Sequence, residues 1–427
     1  PHQSSAASDV YKRQAMLDQL TPKEIWNELK LQNLKGKNIF EQNFIKWAKE
    51  NKSEKQQFDL VIGNPPFNDS SKSEGKISQR DLFEAFGIKK VAGNKLAFKF
   101  LEGALFFGKK VCMIIPSSIF LYNKASTNHA YRKHILTDYT VKKIYDFTHL
   151  RRILFKSVDT PVLALVADNQ PSEYERIEHI VIKRMIQSEE KIRFEIDEYD
   201  RHFVPWNWAI DERIQFVWKT NLLGGGRLFH LIYRLSLLRT LGNFIDKKRK
   251  DGWIFRTGYK IGGNTEKKLV AFIDEGHKIT DVFEEGNYKI DIKGEETNLL
   301  ESSPPKEFYL PPFIIIPKKL GKKNIHISII KEYKKAKFLY FRRNFIGIST
   351  PIKELPILEG LFKQLSSKSK KSLNIQLNIL VQSASCMILQ ETAIRQEDLK
   401  TVSFPHNPKY LELSKEEQII QDDVLKY

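Results

Sequence analysis

The sequence predicts an α/β fold, because strand-like and helix-like segments alternate along the chain as far as Asn169. Short apolar runs of strand length stand at residues 58–62, 111–115, 141–147 and 162–166. Stretches with apolar residues at helical spacing lie between them, at residues 96–107 and 130–135. Strands that alternate with helices in this way usually form a parallel sheet. Beyond Asn169 the alternation ends, and a strongly basic region follows.

The bulk composition is that of a folded protein with more than one domain. The chain has 427 residues, of which 41% are hydrophobic, and this length can bury more than one core. No apolar run reaches the roughly 18 residues that a membrane span needs. Its 2 cysteines, Cys112 and Cys386, are too few for a cysteine-based zinc site. Sparse cysteine is typical of a reducing compartment, so we expect a cytoplasmic protein.

The charge of the chain points to a partner of opposite sign. Lys and Arg number 70 against 52 Asp and Glu, a formal net charge of +18. A polyphosphate such as nucleic acid would gain affinity by releasing its counterions to such a protein. A ribosome-associated protein, or any protein of a basic proteome, would have the same excess, and charge alone leaves both interpretations open.

Changes in composition divide the chain into four segments. Residues 1–14 are small and polar and are similar to a translated sequencing adapter, so we expect a non-native leader there. Residues 15–169 contain the alternating strands and helices, and residues 170–240 form a connector with polar turns. Residues 241–427 form the basic region, in which aromatic residues lie among clusters of Lys and Arg.

The basic clusters are candidates for contacts with a nucleic-acid backbone. Seen singly, such a cluster is more often a solvated protein face, and that alternative stays open for each of them. The candidate residues are Lys247, Lys248, Arg249, Lys250, Lys318, Lys319, Arg342 and Arg343.

The tetrapeptide Asn64-Pro65-Pro66-Phe67 directly follows the first strand and carries the most specific chemistry in the chain. The exocyclic amine of adenine is a poor nucleophile, because its lone pair is conjugated into the ring. Two acceptors at its two N–H groups would pull the nitrogen toward tetrahedral geometry. The Asn64 side-chain oxygen and the Pro65 carbonyl can supply them, and the two prolines stiffen the turn. Phe67 offers a flat face for an extruded base.

The alternative is that this tetrapeptide is only a rigid turn leaving a strand. Its place after an apolar strand that ends in Gly63 argues against coincidence. Ligands of open α/β sheets bind at the carboxyl ends of strands, which is where this turn lies.

From Phe58 to Phe67 the chain resembles the catalytic strand and turn of the adenine-specific N6 DNA methyltransferases of the γ class. That class includes the methylase half of type IIG restriction-modification enzymes and phage-exclusion methylases. The resemblance spans most of residues 36–170 and continues more weakly to residue 427. It implies a partial Rossmann-like methyltransferase sheet, followed by an α+β target-recognition domain in residues 241–427.

The resemblance also implies roles for further residues. Phe155, which precedes Thr160-Pro161, stands where the family places a second aromatic against the flipped base, although core packing is an equal alternative. The methyl donor implied is S-adenosylmethionine, and methyl transfer from its sulfonium needs no metal. The residues expected to bind it are Asn43, Phe44, Asn64, Leu96 and Phe98.

Two departures from the family pattern concern this cofactor. No glycine-containing turn of the aromatic-x-Gly-x-Gly type precedes Asn64, which indicates a chain lacking its N-terminal cofactor-binding part. Asn43-Phe44 stands where the family usually has Asp-Phe, so the hydrogen bond to the cofactor's adenine would lack charge assistance.

Three functions therefore follow as expectations. The first is adenine-N6 methylation of double-stranded DNA in restriction-modification or phage defence, with any nuclease domain or subunit outside this chain. The second is N-methylation of RNA adenine or of protein glutamine by the same turn. The third is a non-catalytic DNA-binding fragment or subunit.

Overall fold

The computed structural model describes most of the chain between Phe44 and Lys426. The described residues are 44–51, 58–67, 95–123, 125–155, 160–171, 175–187, 192–261, 269–273, 290–294, 300–302, 304–318, 327–332, 337–366, 373, 375–382 and 394–426. The chain divides into two compact units, residues 1–53 and 54–427. In the first unit, helix α1 (Phe44–Glu50) is described, and the ring of Phe44 stacks on Trp47 at 6.1 Å.

The second unit opens with the alternation of strands and helices that the sequence predicts. Its elements up to residue 205 are β1 (Phe58–Gly63), α2 (Leu96–Phe107), β2 (Gly108–Pro116), α3 (Ser126–Asp138), β3 (Thr140–Asp146), β4 (Val162–Asp168), β5 (Arg176–Val181), β6 (Arg184–Gln187), β7 (Ile192–Glu195) and β8 (Arg201–Pro205). No described helix of the chain is long and apolar enough to cross a membrane.

Helices and short strands make up the remainder of the unit. They are α4 (Trp206–Ala209), α5 (Val217–Leu223), α6 (Gly225–Ser236), α7 (Leu241–Lys248), β9 (Ile254–Thr257), β10 (Lys260–Ile261), β11 (Leu269–Ile273), β12 (Ile290–Gly294), β13 (Leu300–Ser302), β14 (Phe313–Pro317), β15 (Ser328–Ile330), β16 (Leu339–Tyr340), β17 (Phe345–Ser349), α8 (Leu355–Leu365), α9 (Ile375–Gln382), α10 (Gln396–Lys400) and α11 (Lys415–Leu425). Sheets and helices together confirm the predicted mixed α/β class.

The main sheet has six strands in the order β1-β2-β4-β3-β5-β8. The pairs β1–β2 and β3–β5 are parallel, whereas β4 is antiparallel to both of its neighbours and β8 is antiparallel to β5. The expectation of a wholly parallel sheet is therefore wrong. Parallel neighbours need a long crossover, usually a helix. The described part of the connection from β3 to β4 contains one short 3₁₀ turn, Thr148–Leu150, and the chain returns in the opposite direction.

Helix α2 shows how local sequence sets the first parallel pair. Phe98, Leu101 and Leu105 recur at helical spacing and are fully buried, so that face packs into the core. The chain passes from this helix into β2 at Gly108 without a loop. A Cβ atom at Gly108 would stand 2.8 Å from Val61 Cγ2 and 3.0 Å from the Ala104 carbonyl, so the close approach of helix and strand requires glycine.

Residues beyond 250 form a second, antiparallel sheet with strand order β15-β14-β17-β9. One face of this sheet belongs to the large apolar cluster that also includes α2, β2 and α6. The other face packs against a cluster rich in aromatic residues, among them Tyr259, Phe308, Tyr309 and Phe341. The antiparallel sheet with helices α7–α11 is an α+β arrangement, as the sequence predicts for this region.

A fully buried carboxylate, that of Asp146, connects the loops at one edge of the main sheet. Asp146 ends β3 and accepts hydrogen bonds from the backbone N–H of Thr148 at 2.9 Å and from its hydroxyl at 2.5 Å. It also accepts from the Tyr122 hydroxyl, in the loop after β2. The His179 Nε2 atom, on β5, lies 3.3 Å away. One side chain thereby joins the ends of three strands.

Two further contacts extend this network. The Ser117 and Thr148 hydroxyls are 2.8 Å apart, and since Thr148 donates to the carboxylate, Ser117 is the donor between them. The Asn221 amide donates to His179 Nδ1 at 3.3 Å. The Nε2 atom that faces Asp146 therefore carries a proton and donates to the carboxylate.

The turn Ser118–Tyr122 after β2 is fixed from its other side by Arg132 of α3. The Arg132 Nη1 atom donates to the carbonyls of Phe120 at 2.9 Å and Leu121 at 3.0 Å. Burial lowers the pKa of this guanidinium to about 10. Buried polar side chains therefore hold the first part of both loops, at residues 117–122 after β2 and at Thr148 after β3.

The first prediction concerns the stability of this network. Asp146→Ala leaves at least two buried donors unpaired, and we expect the free energy of unfolding to fall by about 3 kcal/mol or more. Urea denaturation followed by tryptophan fluorescence measures it. Asp423→Ala removes an exposed carboxylate paired with Lys426 at 3.4 Å and should change stability by less than about 1 kcal/mol.

The loss of stability caused by Asp146→Ala should depend on pH. Burial acts to raise the pKa of Asp146, but the hydrogen bonds and charge of His179 and the hydroxyls of Thr148 and Tyr122 outweigh it. The pKa is therefore lowered from its ordinary value of 3.8. The ionised carboxylate thus contributes its full stability above the ordinary pKa of 3.8. This contribution is lost as the pH falls through the lower pKa of the folded state. An effect of Asp146→Ala that is small, or that grows below about pH 4, would contradict this prediction.

Candidate functional site

The strands β1, β2, β3 and β5 all run in the same direction, so the loops that follow them lie at one edge of the main sheet. We call this the C-terminal edge. The residues that follow the first three of these strands there are 64–67, 117–122 and 147–155. Such an edge is where open α/β sheets bind their ligands. The Asn64 turn, the Asp146 network and Phe155 are therefore brought to the same edge.

At the turn itself, Asn64 is exposed, Pro65 is buried, Pro66 is exposed and Phe67 is half-buried. The Asn64 carboxamide has no hydrogen-bond partner in the described part of the chain, and neither does the Pro65 carbonyl. The exposed Asn64 carboxamide is thus available to a ligand, and the buried Pro65 carbonyl keeps an unused capacity to accept a hydrogen bond. Gly63, which precedes the turn, lies opposite Met113 on β2, and a Cβ atom there would meet the Met113 Sδ atom at 2.7 Å.

Strand β1 differs from its predicted character. Phe58, Leu60 and Ile62 are 41%, 54% and 72% exposed, whereas the sequence predicts a buried strand. This prediction is wrong for these three residues, and among the described strands β1 is the outermost one of its sheet. Alternate side chains of a strand point to opposite faces. Val61 packs against the core, and the other face carries the three exposed residues.

Phe155 lies in the loop after β3, which turns through Arg152 in the left-handed region at φ 66°. Its neighbour Leu154 packs against Leu150 and Ile180 in a small apolar cluster. Phe155 is half-buried, and it is not a member of any apolar core cluster among the described residues. The two roles considered for this ring, stacking and core packing, both stay predictions.

Three of the five residues expected to bind S-adenosylmethionine, Asn64, Leu96 and Phe98, lie in the second unit. Asn43 lies outside the described residues, and Phe44 belongs to the first compact unit. Phe98 is fully buried, with its ring against Phe120 at 6.3 Å and Tyr131 at 5.2 Å. Asn64 is exposed and Leu96 is half-buried. The binding roles of these residues stay predictions.

The predicted DNA-binding residues occupy two separate places. The Lys248 cluster (Lys247, Lys248, Arg249 and Lys250) lies at the end of α7 and just beyond it, before β9. Lys318 and the pair Arg342 and Arg343 lie near the other end of the same antiparallel sheet, while Lys319 is outside the described residues. The register fixes this separation, since Ile254 of β9 lies opposite Ser349 and Thr257 opposite Ile346.

Sequence reasoning missed the polar residues beneath the C-terminal edge. The Asp146-Phe147-Thr148 segment has the form of a turn in which an aspartate side chain accepts from the backbone two residues on, and this signal was available. Nothing in the sequence connects Asp146 to Tyr122 or to His179, because those residues approach it only through the pairing of β2, β4, β3 and β5.

Comparison with known proteins gives one family match. Residues 5–153 match the model of the Eco57I restriction-modification methylases. No curated protein matches the chain.

Several solved structures show weak likenesses. The type IIG restriction endonuclease BpuSI is 13% identical, with a TM-score of 0.35, over 90% of this chain and 50% of that chain. The type I restriction-modification methyltransferase subunit from Streptococcus thermophilus is 15% identical, with a TM-score of 0.27, over 37% of this chain and 36% of that chain. A nuclease-deletion mutant of the type ISP enzyme LlaGI, in complex with a DNA substrate mimic, is 11% identical, with a TM-score of 0.33, over 71% of this chain and 36% of that chain.

The chain spans half or less of the length of these three proteins. The family match covers residues 5–153, and over this part of the chain it supports the predicted resemblance to restriction-modification methylases.

Proposed function

We propose that this chain is the methyl-transferring and DNA-reading part of an adenine-N6 DNA methyltransferase of a restriction-modification or phage-defence system. The observation that carries the proposal is the turn at Asn64. Its carboxamide is exposed and its Pro65 carbonyl accepts no hydrogen bond within the described residues, at the edge of the sheet where ligands bind.

The chemistry of the turn follows from these two acceptors. The adenine amine would donate one N–H to the Asn64 Oδ1 atom and the other to the Pro65 carbonyl. Both bonds favour a nitrogen whose lone pair has left the ring system and is free to attack a methyl group. The fixed φ of the two prolines keeps the acceptors in place, so little reorganisation is needed when the base arrives. The half-buried ring of Phe67 can stack on the extruded base.

The Asp146 network supports the neighbouring loops in this scheme. It holds Ser117 and Thr148 against each other, and so it fixes the start of the loop that leads to Phe155. We assign these residues no contact with substrate. Their role in the proposed function is to keep the C-terminal edge in one conformation, because a site whose supporting groups are rigid can hold a base more accurately.

The methyl donor in this proposal is S-adenosylmethionine, on the strength of the resemblance to methyltransferases. The target is double-stranded DNA, and a nuclease domain or subunit would belong to a part of the system outside this chain. Methylation of RNA adenine or of protein glutamine stays the alternative within the same chemistry.

The second candidate function is a non-catalytic DNA-binding fragment or subunit. It is favoured by one observation, that no glycine-containing turn of the aromatic-x-Gly-x-Gly type precedes Asn64 in this sequence. Isothermal titration calorimetry with S-adenosylmethionine separates the two. Binding at micromolar concentration contradicts the non-catalytic function, whereas the absence of binding by the purified chain supports it.

The second prediction concerns Asn64. Asn64→Ala removes the side-chain acceptor, and we expect transfer of labelled methyl groups to adenine in duplex DNA to fall at least about 100-fold. Asn207→Ala is the matched control, since Asn207 is also exposed but lies just after β8, at the opposite edge of the same sheet. Label on cytosine or on protein, or a rate unaffected by Asn64→Ala, would refute the assignment.

The third prediction separates the two roles of the aromatic residues. A 2-aminopurine base at the target position fluoresces when it leaves the stack and is quenched again when an aromatic ring covers it. Phe67→Ala should raise its fluorescence in the complex and weaken binding by about 1–3 kcal/mol. Phe155→Ala should do the same if this ring stacks on the base. An unchanged fluorescence together with a loss of stability would assign Phe155 to core packing instead.

A further inference from the structure

We propose that Lys318, Arg343 and Arg395 form a binding site for the phosphodiester backbone of duplex DNA. We call these residues the Lys318 cluster. The inference rests on the proposed function in that it takes DNA as the partner, and it deepens that function by naming which basic surface contacts the backbone. Arg395 is a new member, which no sequence cluster contains.

Backbone hydrogen bonds bring the three cations together from distant parts of the chain. The Lys318 N–H donates to the Asn344 carbonyl at 2.8 Å, which places Lys318 beside the turn that carries Arg343. The Ile394 N–H donates to the Lys318 carbonyl, also at 2.8 Å, which places Arg395 on the other side. Main-chain hydrogen bonds therefore bring the three residues together, and no contact between their side chains is needed for this.

The turn that carries Arg343 is rigid. Its ends are joined by the Phe345 N–H, which donates to the Arg342 carbonyl at 3.0 Å, and the Arg343 N–H donates to the Tyr259 carbonyl at 2.8 Å. Gly258 packs directly beneath it. A Cβ atom at Gly258 would lie 2.1 Å from the Phe341 carbonyl and 2.4 Å from the Arg342 carbonyl, so no other residue fits there. A preformed turn binds a ligand without an ordering cost.

Lys318 lies in a positively charged, partly buried environment that an anion would stabilise. Lys318 is half-buried, and among the described residues it forms no ion pair. Burial, and then the charges of Arg343 and Arg395, lower its pKa. Positive charges that are held close together in a partly dehydrated place repel one another, and a phosphate oxygen among them would relieve that repulsion. Perturbed groups of this kind are concentrated at functional sites.

The Lys248 cluster is different, because protein carboxylates already neutralise much of it. The Lys248 ammonium lies 2.9 Å from both Asp251 and Glu354. Arg249 is paired with Asp246 at 3.0 Å. The Lys248–Glu354 pair ties α7 to the start of α8, and the other two pairs are local ones at the end of α7. Only the exposed Lys247 and Lys250 are left to face solvent as a charged surface, and we assign them the smaller share of the affinity.

Duplex DNA fits the Lys318 cluster better than a small phosphate compound does. The cluster lies on a surface turn at the end of an antiparallel sheet, and Arg343 is exposed. An exposed turn can reach a backbone that runs past it. Three cations in one place match successive phosphates, and such contacts position a duplex without reading its sequence.

The fourth prediction tests this site by fluorescence anisotropy with a labelled duplex of mixed sequence, measured from about 50 to 200 mM salt. The triple variant Lys318→Gln, Arg343→Gln, Arg395→Gln should lower affinity about tenfold or more and reduce the slope of log affinity against log salt by about 3. The matched control removes the same charge from exposed lysines elsewhere: Lys133→Gln, Lys409→Gln, Lys415→Gln. The control should reduce the affinity by less than about threefold, because it loses no contact.

Two further variants make the outcome decisive. Arg343→Gln alone changes an exposed side chain, so it should fold normally and reduce the slope by about 1. The double variant Lys247→Gln, Lys250→Gln should cost less affinity per charge than the triple variant. An equal loss per charge in this double variant or in the control would overturn the inference, since long-range charge would then explain the binding.

The same measurements separate this inference from the proposed function. Normal DNA binding that depends on the Lys318 cluster, without methyl transfer, would support the site and refute the activity. Methyl transfer to DNA with an affinity indifferent to the cluster would overturn the site and keep the activity. Preference for single-stranded RNA over the duplex in competition would overturn the assignment of DNA as the partner.

Discussion

The Asp146 carboxylate is the point on which the geometry of the C-terminal edge depends. A buried charge is unfavourable unless donors surround it, and this carboxylate has donors from the loops after β2 and β3 and from β5. Each loop therefore loses a satisfied partner if it moves. The consequence is that the loops after β2 and β3 are held to each other and to β5 at the edge to which the Asn64 turn also belongs.

The mixed direction of the strands decides which chain segments meet at the C-terminal edge. Because β4 is inserted antiparallel between β2 and β3, the start of β4 meets the ends of its two neighbours. Its first residues pair with them: the Ser117 N–H donates to the Pro161 carbonyl at 3.0 Å, and the Phe147 N–H donates to the Val162 carbonyl at 3.0 Å. The loops after β2 and β3 are thus joined by main chain as well as by Asp146. If β4 were parallel to β2 and β3, its C-terminal end would lie at this edge, and its first residues could not join the loops after β2 and β3.

Positive charge has two uses in this molecule. Lys248 forms ion pairs with Asp251 and with Glu354, which precedes α8. Lys318 instead lies beside Arg343 and Arg395, next to a rigid turn. In the sequence, Lys247–Lys250, Lys318-Lys319 and Arg342-Arg343 look alike, as short runs of Lys and Arg. Their difference arises from the neighbours that the fold supplies, namely Asp251 and Glu354 in the first case and further arginines in the second.

Much of the local structure was accessible from the sequence. The apolar runs at 58–62, 111–115, 141–147 and 162–166 are strands, and 96–107 and 130–135 lie in helices, because hydrophobic period depends on nearest neighbours in the chain. The exposure of Phe58, Leu60 and Ile62 was not accessible. A strand's apolar content says nothing about whether it ends up in the middle of a sheet or at its border.

The sequence by itself determined the alternation of strands and helices and the excess of positive charge, and it supplied the proposal for the chemistry of the Asn64 turn. These are properties of residue type and short-range order. The tertiary structure alone decided the reversed direction of β4, the donors around Asp146 and the meeting of Lys318 with Arg395. Each of these depends on which distant segments lie side by side, and that is set by packing of the whole core, which no local pattern records.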